Sequence, residues 1–269
     1  MDRRPIGVFD SGIGGLTVVR ALQQRLPHES LLYFGDTARV PYGNKSPATV
    51  RRYAREILDF LVGRDVKMVV VACNTASAHA LEDLQRSSPV PVEGVVGPGA
   101  RAAVAASRGG PIGVIGTAGT MTSGAYERAI RALAPSARVI QRACPLFVPL
   151  VEEGWLDREA ARLIAHEYLD PLKAEGVEVL VLGCTHYPLL KPLLAGVMGQ
   201  GISLIDSAEE TAAAVARELA ESGIAGATDA VGQAHFVVSD AAESFERVGA
   251  AFLGEPLRAV ETVTFEGHR

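Results

Sequence analysis

Short apolar runs rich in β-branched residues recur along the chain: IGVFD at 6–10, LLYFG at 31–35, MVVVA at 68–72, IGVIG at 112–116, VLVLG at 179–183 and ISLID at 202–206. Their apolar character is continuous rather than alternating, which predicts strands covered on both faces, the habit of parallel sheet. Longer stretches with helical period separate them. The clearest begins at Ser46-Pro47, a cap and first-turn pair, and then places Val50, Tyr53, Ala54, Ile57, Phe60 and Leu61 on one face over 46–64. Strand and helix patterns in alternation predict βα units and an α/β fold.

The pattern also repeats. PIGVFDSGIGG at 5–15 is echoed by PIGVIGTAGTM at 111–121, and MVVVACNTA at 68–76 by VLVLGCTHY at 179–187, in the same order and at nearly the same spacing. Two echoes in register predict two similar parallel-sheet α/β domains, each with a cysteine at the end of one strand and with the active site in the cleft between them. After residue 206 come a helical stretch, SAEETAAAVARELAESG, the run AHFVVSD and a further helical pattern. This segment either extends the second unit or returns to the first. The division expected is 1–97 with 207–269 packing back on it, and 98–206 as the second domain.

With 269 residues and 48% apolar content the chain can bury one large core or two modest ones. A net charge of −5 gives no basic footprint for nucleic acid or an anionic membrane, so a small molecule is the expected partner. The N-terminal MDRRPIGVFDSG breaks its apolar run at Asp10 and Gly12, unlike a signal peptide or a membrane span, and a cytoplasmic protein is expected. A homodimer is among the assemblies the sequence allows. Three cysteines without a C-x-x-C pair argue against a disulfide framework or zinc ribbon, and His166-Glu167 lacks the second histidine of a zinc protease, so no metal is expected.

In α/β sheets ligands sit beyond the carboxyl ends of strands. Asp10, Ser11, Asp36, Cys73, Asn74, Thr117, Cys184, Thr185 and His186 all fall there. Thiols, carboxylates, an imidazole, an amide and hydroxyls in one cluster suit a zwitterionic or dicarboxylic ligand. Cys73 and Cys184 are each expected at the start of a helix, where the dipole favours thiolate. Cys144, ahead of Pro145, reads as a packed residue near a turn. The glycine-rich run DSGIGGLT at 10–17 is no nucleotide loop, because Thr17 stands where a dinucleotide fingerprint needs glycine and no G-K-[ST] follows. Its glycines are expected to let backbone approach a small anion at the start of a helix over 15–26.

DSGIGG at 10–15, GDT at 35–37, PYG at 41–43, CNTAS at 73–77, CPLFVPLVEEG at 144–154 and GCTHYP at 183–188 together resemble the glutamate racemases of the aspartate/glutamate racemase superfamily. The resemblance runs from residue 6 to about 210. It implies interconversion of L- and D-glutamate without cofactor, by two cysteines on opposite faces of the α-carbon, here Cys73 and Cys184. It also implies auxiliary roles for Asp10, His186 and Glu152. Substrate binding is implied for Asp10, Ser11, Tyr42, Gly43, Asn74, Thr75, Thr117, Thr120, Thr185 and His186. A product destined for peptidoglycan follows from the resemblance alone. Aspartate as substrate and a solute-binding protein without turnover are the alternatives.

Overall fold

The computed structural model describes residues 2–227, 230–257 and 259–265. Its strands are β1 (Ile6–Asp10), β2 (Leu31–Gly35), β3 (Met68–Val71), β4 (Val92–Gly94), β5 (Ile112–Gly116), β6 (Val139–Ala143), β7 (Val179–Gly183), β8 (Ser203–Asp206), β9 (Ala234–Val238) and β10 (Val260–Thr262). They form two sheets of order β10-β9-β2-β1-β3-β4 and β6-β5-β7-β8, and every pairing is parallel. The core order β2-β1-β3-β4 of the first sheet is that of the whole second sheet. The sequence echo is therefore topological: β1 and β5 are the equivalent central strands, and each cysteine-bearing strand, β3 or β7, lies beside one of them.

The continuous apolar runs are explained by burial. All five residues of β1, β2, β5 and β7 are buried, because helices cover both faces of each sheet. Strands β4, β6 and β10 are not signalled by the pattern: β4 and β10 span three residues each, and β6, VIQRA at a sheet edge, is half-buried throughout. The helix expected over 46–64 runs Pro47–Gly63, with Ser46 Oγ accepting the Thr49 N–H at 3.3 Å and Val50, Ala54, Ile57, Leu58 and Leu61 buried. The helix expected over 15–26 runs Leu16–Arg25.

The segment after residue 206 returns to the first sheet. Helix Ser207–Glu221 packs against both helix Leu16–Arg25 and helix Val96–Ala106, and β9 then pairs with β2, so that β2 is not left as an edge. A buried ion pair anchors this return. Lys67 Nζ lies 2.5 Å from Glu29 Oε2 and donates to the carbonyls of Asp2 and Ile224, while Glu29 Oε1 accepts the Gly226 N–H. Among the described residues no helix is long and apolar enough to cross a membrane.

Candidate active site

The carboxyl ends of both sheets open onto one cavity of ≈ 390 Å³. Cys73, two residues beyond β3, is the N-cap of helix Asn74–Ser87. Its Sγ accepts the Ala76 N–H at 3.4 Å, in the place usually taken by a serine or aspartate side chain, and its thiol donates to Ser11 Oγ at 3.7 Å. The expected dipole contact is present, yet burial dominates: desolvation, with the Asp10 charge adding to it, pushes the Cys73 thiol up to about 12. In the free protein the thiol is the stable form of Cys73, contrary to the expectation from helix position alone.

Cys184 follows β7 but caps no helix, which corrects the second half of that expectation. A turn and the 3₁₀ segment Tyr187–Leu190 follow instead, with Tyr187 N–H donating to the Cys184 carbonyl and Leu189 N–H to that of His186. Pro188, which has no N–H to give, sits in this tight stretch. The turn brings His186 back onto the cysteine. Its Nδ1 lies 3.9 Å from Cys184 Sγ and its Nε2 lies 2.9 Å from Glu152 Oε1. Burial opposes charging this imidazole, but Cys184 and Glu152 outweigh it and raise His186 to about 10. Glu152 ends helix Phe147–Glu152 with its side chain 46% exposed, whereas His186 is buried.

Asp10 lies behind the cavity wall, 1% exposed. Its carboxylate accepts the Gly12 N–H at 2.9 Å and the Thr185 hydroxyl at 3.4 Å, and no hydrogen bond joins it to Cys73. Burial raises its pKa, opposed by the His186 charge and the backbone donors. Ser11, Tyr42, Gly43, Asn74, Thr75, Thr117, Thr185, His186 and Glu152 join the two cysteines on the wall. Thr120 is fully buried beside it, and Thr75, Thr117 and Thr120 form a triangle of hydroxyls 2.9 to 3.1 Å apart that spans the two units. Asp36 stays off the wall and supports it, accepting hydrogen bonds from Tyr42, Arg39 and Ser239. Cys144 is fully buried, as expected, and its carbonyl accepts the Tyr187 hydroxyl.

Gly14 of the glycine-rich run has a packing role, while Ser11, Gly12 and Ile13 of the same loop line the cavity. A Cβ on Gly14 would come within 2.3 Å of Thr185 Oγ1 and 2.5 Å of His186 Nδ1. Glycine is required there so that the loop after β1 can close on the turn after β7. Two groups of residues carried no chemical signal in the sequence. Ile13 and Val40 on one side and Pro145, Val148 and Pro149 on the other give the cavity apolar walls. Tyr126, on a helix face that reads as core, donates its hydroxyl to Asn74 Oδ1 at 2.7 Å and leaves the buried Asn74 Nδ2 without a protein partner, a donor available to a ligand. Among the described residues no group of three or more His, Cys, Asp or Glu side chains could hold a metal ion.

The chain is similar to known proteins over its whole length. The family described as Asp/Glu/Hydantoin racemase matches residues 16–215. The glutamate racemase of Geobacter metallireducens is 54% identical over 269 residues, covering 100% of both chains. The crystal structure of glutamate racemase from Thermus thermophilus in complex with β-chloro-D-alanine has a TM-score of 0.90 at 48% identity, over 99% of each chain. That from Francisella tularensis in complex with D-glutamate has a TM-score of 0.92 at 37% identity, over 98% of each chain. Matched from end to end by such relatives, and over most of its length by the family, the chain belongs to the Asp/Glu/Hydantoin racemase family, a group of isomerases.

Proposed function

We propose that the protein is a glutamate racemase, interconverting L- and D-glutamate by a two-base mechanism without cofactor. The observation that carries the reading is the presence of Cys73 and Cys184 on one cavity, each delivered by the equivalent strand of a repeated sheet. Inversion at carbon needs a base on one face and an acid on the other. Two similar domains closing on one ligand supply both. On this reading residues 1–97 with 207–269 form one domain and 98–206 the other, a division supported by the entry of β9 and β10 into the first sheet.

One thiolate and one thiol are needed at the start of each turnover. The surroundings of Cys73 favour its thiol, whereas Cys184 has the His186 imidazole 3.9 Å from its sulfur, a group placed to exchange a proton with it. In one direction the Cys184 thiolate takes the α-proton and the Cys73 thiol delivers its own to the opposite face. The return reaction reverses the roles. Glu152 holds the far nitrogen of His186, and Asp10 steadies the loop after β1 and Thr185. The free Asn74 donor, the hydroxyls of Ser11, Thr75, Thr117 and Thr185 and the Tyr42-Gly43 loop are placed to bind the amino acid. Such donors stabilise charge developing on the substrate carboxylate once water is excluded. The choice of glutamate rests on the relatives, which are glutamate racemases. D-glutamate for peptidoglycan, made in the cytoplasm, is the corresponding role.

Incubation with L-glutamate in deuterated water tests the reading: the α-position should gain deuterium and optical rotation should decay. Binding of glutamate without exchange would make the protein a receptor, and exchange of aspartate alone would overturn the substrate.

A further inference from the structure

Helix Ala242–Leu253, beyond the residues 16–215 that the family matches, places one side chain against the reaction centre. Phe252 is 1% exposed, and its ring meets the His186 imidazole at 5.1 Å between centroids and 83° between planes. Edge-to-face pairs of this kind hold rings in a defined orientation. The orientation matters here because His186 is engaged at both nitrogens. A rotation of the ring that improved one contact, with Cys184 at 3.9 Å or Glu152 at 2.9 Å, would lengthen the other.

Phe252 also lines a second cleft, of ≈ 270 Å³, that opens between helix Leu16–Arg25 and the segment after His186. This cleft carries charge: Arg20, Lys191, Asp206 and Glu209 border it, and Lys191 Nζ bridges Asp206 at 2.7 Å and Glu209 at 2.9 Å. On the cavity side the titratable neighbours of His186 are Cys184, Glu152 and Asp10. The phenyl ring thus stands between the imidazole and a charged cleft behind it.

We propose that Phe252 is a positioning residue for racemisation: it sets the plane of His186 so that Cys184 and Glu152 are engaged together, and it closes the rear of the centre to water. The inference rests on the role given to His186 above. Replacing the ring removes the edge-to-face contact with the imidazole and none of the hydrogen bonds described for Ser11, Asn74, Thr75 and Thr117. The effect should fall on kcat rather than KM.

The test compares Phe252→Ala, Phe252→Leu and Phe252→Tyr with Leu253→Ala, a buried neighbour on the same helix that has no ring contact with His186. Phe252→Ala and Phe252→Leu should lower kcat about 10- to 100-fold with KM within a few-fold. They should also move the ionisation seen in kcat/KM against pH by about half a unit or more. Phe252→Tyr, which keeps the ring, should recover most of the rate. Leu253→Ala should lower the melting temperature to a similar degree and leave kcat and the pH profile alone. Phe252→Leu provides the comparison if Phe252→Ala does not fold. Wild-type kcat and pH profile in Phe252→Leu, or the same changes in Leu253→Ala, would overturn the proposal. His186→Asn separates the two readings. Normal turnover in that variant would remove the role of His186 itself, whereas a crippled His186→Asn whose rate falls by the full factor again on adding Phe252→Leu would show that Phe252 does not act through His186.

Discussion

Cys73 and Cys144 are both buried, and burial pushes both thiols up to about 12, yet they differ in what surrounds the sulfur. The Cys73 sulfur receives a helix N–H and lies on the cavity wall beside Ser11. That of Cys144 meets only the Arg142 carbonyl, at 3.7 Å, in the core. Replacing Cys73 or Cys184 by alanine should therefore reduce racemisation about 10³-fold or more, measured polarimetrically, because neither thiol can substitute for the other on its face of the substrate. Cys144→Ala should keep the rate and cost about 1–2 kcal/mol of stability through a small cavity. Glu152→Gln carries a sign. The Glu152 charge helps to hold His186 up at about 10, so its loss should move the alkaline limb of the rate profile to lower pH. A limb that stays in place would show that Glu152 does not tune the imidazole.

At the scale of elements, the contact between the loop after β1 and the turn after β7 decides how the halves of the site meet. Gly14 faces Thr185 and His186 with no room for a methyl group, and Thr17 Oγ1 reaches the Thr185 carbonyl at 3.0 Å. Gly14→Ala should displace His186 and lower kcat about 100-fold, with a loss of about 1–3 kcal/mol in urea unfolding. Unchanged rates would mean that the loop yields at no cost to the site. The need for glycine was legible in DSGIGG, but its reason was not. A glycine-rich turn after a strand fits an anion cradle and a close packing contact equally well, and the partner at Gly14 is about 170 residues away in the chain. The two cysteine contexts read as equivalent for a similar reason: both follow buried strands, and only the turn ahead of Pro188 makes them differ.

Across the whole molecule, several ionisable groups are buried, and their titration should govern stability at alkaline pH. Cys73 and Cys144 lie at about 12 against an ordinary 9.0, and His186 at about 10 against 6.5. Each is a raised folded-state value. The stability that His186 contributes is complete below about pH 6.5 and lost as pH rises through 10, while that from the two thiols is complete below about 9 and lost towards 12. All three act in one direction, so the urea midpoint should fall steadily from pH 7 to pH 11. Replacing Cys73 and Cys144 together should flatten the decline above pH 9. A midpoint that rises over this range would contradict the assignment.

By itself the chain determines the parallel α/β class, the repeat, the paired cysteines and the polar cluster at the strand ends. These depend on local periodicity and on residue chemistry, both of which are written in consecutive residues. The tertiary structure alone decided that β9 returns to β2 and helix Ser207–Glu221 to helix Leu16–Arg25, that burial outweighs the helix dipole at Cys73, and that His186 is clasped by Cys184, Glu152 and Phe252. Each of those depends on desolvation or on contact between segments far apart in sequence, quantities that no local pattern contains.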